Sequence, residues 1–120
     1  MSYVDGFLIP VPKENRAAYK KMAETAAEVF KEYGALQVVE CWGDDLPEGD
    51  EGVSFRNAAR GKLSDSVVFS WVMWPSKEAR DEANEKIMDD PRMQPSEDMP
   101  FDGAKLVYGG FQVLVENRAE

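Results

Sequence analysis

Histidine is absent from the 120 residues, and that gap removes His-ligated zinc, Ser–His and Cys–His nucleophile pairs and imidazole general bases together. Cysteine occurs once, at Cys41, so no intramolecular disulfide can form, and a lone thiol fits a reducing compartment. Basic residues are scarce as well, 14 against 23 acids for a net charge of −9, whereas a phosphate-backbone binder must offer a cationic face that displaces counterions. No nucleic-acid partner is expected. No apolar run approaches the roughly 20 residues of a bilayer-spanning helix, since even Val67 to Trp74 is only strand length, so no membrane partner is expected either. The opening Met1-Ser2-Tyr3-Val4-Asp5-Gly6 puts an acid where a signal peptide needs positive charge, and Pro10 cuts short any apolar stretch. The expectation is a cytoplasmic protein.

What is present is the material of a core. Hydrophobic residues make up 43% and aromatics 11%, enough to bury about two-thirds of the unfolded surface, so residues 1–120 are expected to form a single domain. Tyr3 to Ile9 reads as a strand that stops at Pro10-Val11-Pro12, where two missing amide donors end ladder pairing. From Lys13 to Tyr33, Tyr19, Met22, Ala23, Ala26, Phe30 and Tyr33 recur at steps of three and four, which predicts an amphipathic helix closed by Gly34. Ala35 to Trp42 is a second strand with apolar residues on both faces, including Val39 and Cys41.

Gly43 to Asp65 is a long acidic loop, with six acids and no base between Glu40 and Glu51, and one helical turn near Phe55 to Arg60. Val67 to Trp74 is the strongest strand signal, β-branched and aromatic on both faces, and is expected to be central. Ser76 is the N-cap of a second helix running to about Asp89, with Ala79, Ala83, Ile87 and Met88 as its apolar stripe. After the irregular stretch from Pro91 to Gly103, Lys105 to Val115 is the fourth strand.

Strand, helix, strand, strand, helix, strand is the α+β, ferredoxin-like βαββαβ order, a four-stranded antiparallel sheet with two helices on one face. Two helices cover only one side of such a sheet, yet the second, third and fourth strands carry apolar residues on both. The uncovered side exceeds what monomers tolerate. A second copy packed sheet to sheet across a two-fold axis satisfies it, so a homodimer of the dimeric α/β-barrel kind is expected.

Several polar and aromatic positions stand out against this frame. Asp5 lies inside the first strand, where an acid is disfavoured unless it has a polar partner, and Glu40 lies in the otherwise apolar second strand; each reads either as a structural pair or as a pocket acid. Tyr19, Trp42 and Tyr108 read either as core or contact residues or as the walls of a pocket. Arg92 follows Asp89-Asp90-Pro91 and reads either as the compensator of those acids or as a fork for an anionic ligand. Asp5, Tyr19, Glu40, Trp42, Arg92 and Tyr108 are therefore the candidate ligand-binding residues. Cys41 has no cationic neighbour in sequence and reads as a buried small hydrophobe. Neither Asp44 nor Asp45 starts a calcium-loop pattern, Leu46 and Pro47 falling at the third position. Gly109-Gly110 reads as a bulge or a close backbone contact. No metal and no cofactor are expected.

Tyr3-Val4-Asp5-Gly6-Phe7 with Pro10-Val11-Pro12, Gly34-Ala35-Leu36, Glu40 to Asp45, Val67 to Pro75, Asp89 to Met93, Pro100-Phe101-Asp102-Gly103 and Tyr108 to Phe111 together resemble the bacterial family catalogued as domain of unknown function 1428. The resemblance spans nearly the whole chain and implies the dimeric α/β-barrel type of ferredoxin-like fold. It departs from the family locally, at the acidic run Glu48 to Gly52 and at Gln94-Pro95-Ser96-Glu97. The family has no established reaction, so the resemblance transfers no catalytic residue. What the residues support is a small organic ligand in a pocket between sheet and helices, with cofactor-free oxygenation or proton abstraction as the chemistry open to carboxylate, phenol and indole. The alternative is a non-catalytic interaction or structural homodimer.

Overall fold

The first strand runs through its prolines. In the computed structural model, which describes residues 2–95 and 98–119 and the backbone but not the side chain of Asp50, strand β1 spans Tyr3–Pro12. It pairs antiparallel along its whole length with β3, Asp65–Trp74, and as far as Leu8 with β4, Val107–Gln112. Lys13 N–H donates to Ser64 O at 3.2 Å and Val113 N–H to Ser2 O at 3.3 Å, so odd residues of β1 bond to β3 and even residues to β4. Pro10 and Pro12 turn their missing donors toward the β4 side, beyond the point where β4 pairs. The expected stop at Pro10 is thereby corrected: a proline on an unpaired edge costs no ladder bond.

Helix α1, Arg16–Glu32, follows one 3-10 turn at Lys13–Asn15 and ends before Gly34, whose φ of +112° suits a residue without a Cβ. Strand β2, Gln37–Trp42, pairs with β3. The acidic loop carries a short helix α2, Phe55–Ala58, capped by Ser54. Helix α3, Lys77–Ile87, is capped by Ser76, whose hydroxyl accepts from the Ala79 amide at 3.1 Å. The strand order is β2-β3-β1-β4. This is the antiparallel, ferredoxin-like α+β fold, with β3 and β1 central as expected of the most apolar segment.

Alternation sorts the sheet into two faces. Toward α1 and α3 point Tyr3, Phe7, Ile9, Val11, Val68, Val72 and Trp74, which with Tyr19, Ala23, Val29, Ala83 and Ile87 form the core. On the other face lie Val4, Leu8, Val39, Cys41, Phe69, Trp71, Met73, Val107 and Phe111. One end of that face is covered by α2, where Phe55 packs on Phe69 with ring centroids 6.1 Å apart. The rest is open, Phe111 being 60% exposed.

Three further expectations are corrected. Cys41 is exposed, because it sits on the open face of edge strand β2 rather than under a helix. Met88 lies past the last turn of α3 and points to solvent instead of joining its stripe. The fourth strand ends at Gln112 rather than Val115: Val113 still bonds to Ser2 O, but Leu114 and Val115 are exposed. At the other end Gly103–Lys105 forms a 3-10 turn capped by Asp102. Of the Gln94 to Glu97 stretch, Ser96 and Glu97 lie outside the described residues, as does Met1. Among the described residues no helix is long and apolar enough to cross a membrane.

Candidate functional site

Between α1 and β2 the helix and sheet do not close completely. Ala23 and Ala27 present small side chains where the facing strand offers Val38 and Glu40, and the space left is a cleft of about 540 Å³. Strand and helix run antiparallel along it, so Trp42 lies by Arg16, Glu40 by Tyr19, and Val38 at the end nearer Ala27. The cleft thus grades from cationic and aromatic, through acidic and phenolic, to apolar.

Tyr19 is buried in the α1 stripe, and its hydroxyl donates to Glu40 Oε1 at 2.8 Å. Burial and the adjacent carboxylate push the phenol well above its usual pKa, so it stays a donor. Burial also raises Glu40, the Tyr19 and Ser70 hydroxyls pulling it partly back. A carboxylate in this state is a better proton acceptor than a solvated one. At the outer end the Arg16 guanidinium stands over the Trp42 ring, 5.5 Å from its centroid. The arrangement can hold a planar molecule against an indole and take a proton from it at the carboxylate.

The structure brings Tyr19, Glu40 and Trp42 together and places the other three candidates elsewhere. Asp5 is beneath α3, 8% exposed, accepting from Trp74 Nε1 at 3.0 Å and facing Arg80 Nη1 at 3.6 Å. Desolvation raises its pKa, with Arg80 and Trp74 opposing. Arg92 clamps Asp90 through Nε and Nη2 at 3.1 and 2.8 Å and reaches Glu32 at 2.6 Å, tying the end of α3 to that of α1. Tyr108 is exposed on β4, the edge opposite β2. Among the described residues no three acids or cysteines gather as a metal site.

Arg16, Lys20, Glu24 and Ala27 also line the cleft and were not singled out from the sequence, and Ala23, read there as part of the apolar stripe, lines it too. The signal was there in the alanines: two of them four apart on the buried side of a long helix leave room that a leucine would fill.

The profile of the family described as "Protein of unknown function (DUF1428)" matches residues 2–103. The proteins named uncharacterized protein YbaA from Escherichia coli K12 and Shigella flexneri are each 50% identical to the chain over 117 residues, 97% of this chain and 99% of theirs. Among solved structures, Rv0793 from Mycobacterium tuberculosis superposes with a TM-score of 0.50 at 13% identity, covering 98% of this chain and 100% of that one. A Bacillus cereus protein provisionally named an antibiotic biosynthesis monooxygenase gives 0.55 at 13%, covering 99% and 97%. At such identity these two speak for the fold alone.

Proposed function

The chain belongs to the DUF1428 family, and from that premise and the cleft we propose that it is a homodimer in which each protomer binds a small organic molecule between α1 and β2. The observation that carries the reading is the Tyr19–Glu40 pair inside an apolar-walled cleft. A carboxylate partly withdrawn from water is costly for stability, and in small-molecule sites a few such groups on apolar walls fix a ligand's orientation. Trp42 supplies the plane, Tyr19 the hydrogen bond and Glu40 the proton acceptor. Asp5 and Arg92 are assigned to ion pairing, and Tyr108 lies outside the cleft.

The chemistry such a site supports without a cofactor is removal of a proton from an acidic hydroxyl or activated carbon. The name carried by the Bacillus cereus relative in fold associates this architecture with oxygenation, and deprotonation is the step that makes an organic substrate reactive toward oxygen. Dimerisation is supported by the open face, where Val4, Val39, Phe69, Trp71, Met73 and Phe111 lie side by side and, among the described residues, no element lies over them beyond α2.

A thermal-shift screen over planar metabolites and quinones tests the ligand reading. A compound at a hundred times its dissociation constant adds about 2.7 kcal/mol, on the order of 10 °C for a chain this size. The expected result is a set of stabilising compounds whose effect is lost in Trp42→Ala. Melting curves unmoved across the library would instead leave the chain a structural homodimer.

A further inference from the structure

The cleft has a polarity that bears on what enters it. Arg16 and Lys20 stand one turn apart on the same side of α1, both lining the cleft, and among the described residues neither makes an ion pair. In a molecule of net charge −9, two unpaired cations beside an aromatic face are out of balance with their surroundings. The same end holds the start of α1. Its first turn contains no acid, and the N-cap residue Asn15 makes no side-chain capping bond, its amide donating instead to Pro100 O at 2.9 Å. The positive end of the helix dipole therefore adds to Arg16 rather than being offset. Held over Trp42 at 5.5 Å from the ring centroid, the guanidinium still has N–H donors to offer a planar oxyanion.

Resting on the cleft reading above, we infer that the ligand is a planar organic anion, an aryl or enol carboxylate carrying a hydroxyl. Its carboxylate meets Arg16 at the Trp42 end, and its hydroxyl meets Glu40. Trp42 and Glu40 are two residues apart on an extended strand, about 6.6 Å at roughly 3.3 Å per residue, a span that one aromatic ring with groups at opposite ends bridges. Glu24, one turn beyond Lys20 and also on the cleft wall, repels the anion from the inner end and sets the direction of binding.

Isothermal titration of the full chain with 4-hydroxybenzoate, its methyl ester and benzoate tests this. A charge-assisted contact at a partly open site predicts that the acid binds about tenfold tighter than the ester. Benzoate, lacking the hydroxyl, is expected to bind more weakly than 4-hydroxybenzoate. In Arg16→Gln the acid is expected to fall to the affinity of the ester, with the ester unchanged; Arg16 is exposed, so the fold is not at stake. Equal binding of acid and ester to the unaltered protein would overturn the anion and leave a neutral ligand in the same cleft. A preference for the acid that survives Arg16→Gln would overturn the assignment to Arg16. Failure of all three to bind would overturn the cleft reading and this inference with it.

Discussion

Two carboxyls respond to pH in opposite directions, and both responses follow from their immediate partners. Glu40 is raised by burial, so the folded state favours its protonated form, and its contribution to stability declines as pH rises from the ordinary carboxylate range through the folded value. Glu40→Gln keeps an acceptor for Tyr19 and removes the charge. At pH 7 this variant is expected to be more stable by less than about 1 kcal/mol, because the residue retains solvent contact. The gain should vanish at pH 3, as urea titrations at the two values will show. Asp90 is held well below the carboxylate range by Arg92 and by the Tyr33 hydroxyl. Its contribution is fully present above that range and is lost as pH falls toward the folded value. Asp90→Asn is therefore expected to be less stable than the parent at pH 7, with the difference beginning to shrink only below about pH 4 and closing as pH falls to the folded value. Arg92 beside Asp90 was legible as a pair from spacing alone. Glu32, its second partner, and Trp74, the partner of Asp5, are not local, and only strand register and helix docking bring them near.

At the scale of elements, hydrophobic period and punctuation were enough to place both long helices and all four strands, and the errors lie at their ends. An end is decided by whether a neighbour is there to pair, which no local pattern records: β1 continues through two prolines because β4 pairs with it only as far as Leu8. Caps are local and were readable. Ser76→Ala removes the hydroxyl that accepts from Ala79 and is expected to cost about 1 kcal/mol. Gly110 is a close approach rather than an interruption, since β4 pairs through it without a break and a Cβ there would run into the Tyr3 ring and Arg80. Gly110→Ala is expected to cost about 1–3 kcal/mol by overpacking. Gly103→Ala, with nothing within 4 Å of the new atom, is expected to be near neutral. Thermal unfolding of the two variants side by side checks this.

For the molecule as a whole, the sheet presents an apolar face to each side and its helices shield one. That was legible in Val67 to Trp74, where β-branched and aromatic residues occupy both parities. The cover that α2 gives one end was not, because the contact of Phe55 with Phe69 forms only when the acidic loop folds back on the sheet. A charge placed in the centre of the open face leaves the helix-side core untouched and should separate two copies, so Trp71→Glu is expected to be a folded monomer. Native circular dichroism with halved mass is its signature. The most direct measurement is sedimentation velocity of the unaltered protein at micromolar concentration. A single species of twice the 13.5 kDa chain mass is the predicted result, and a stable species of one chain mass would contradict it.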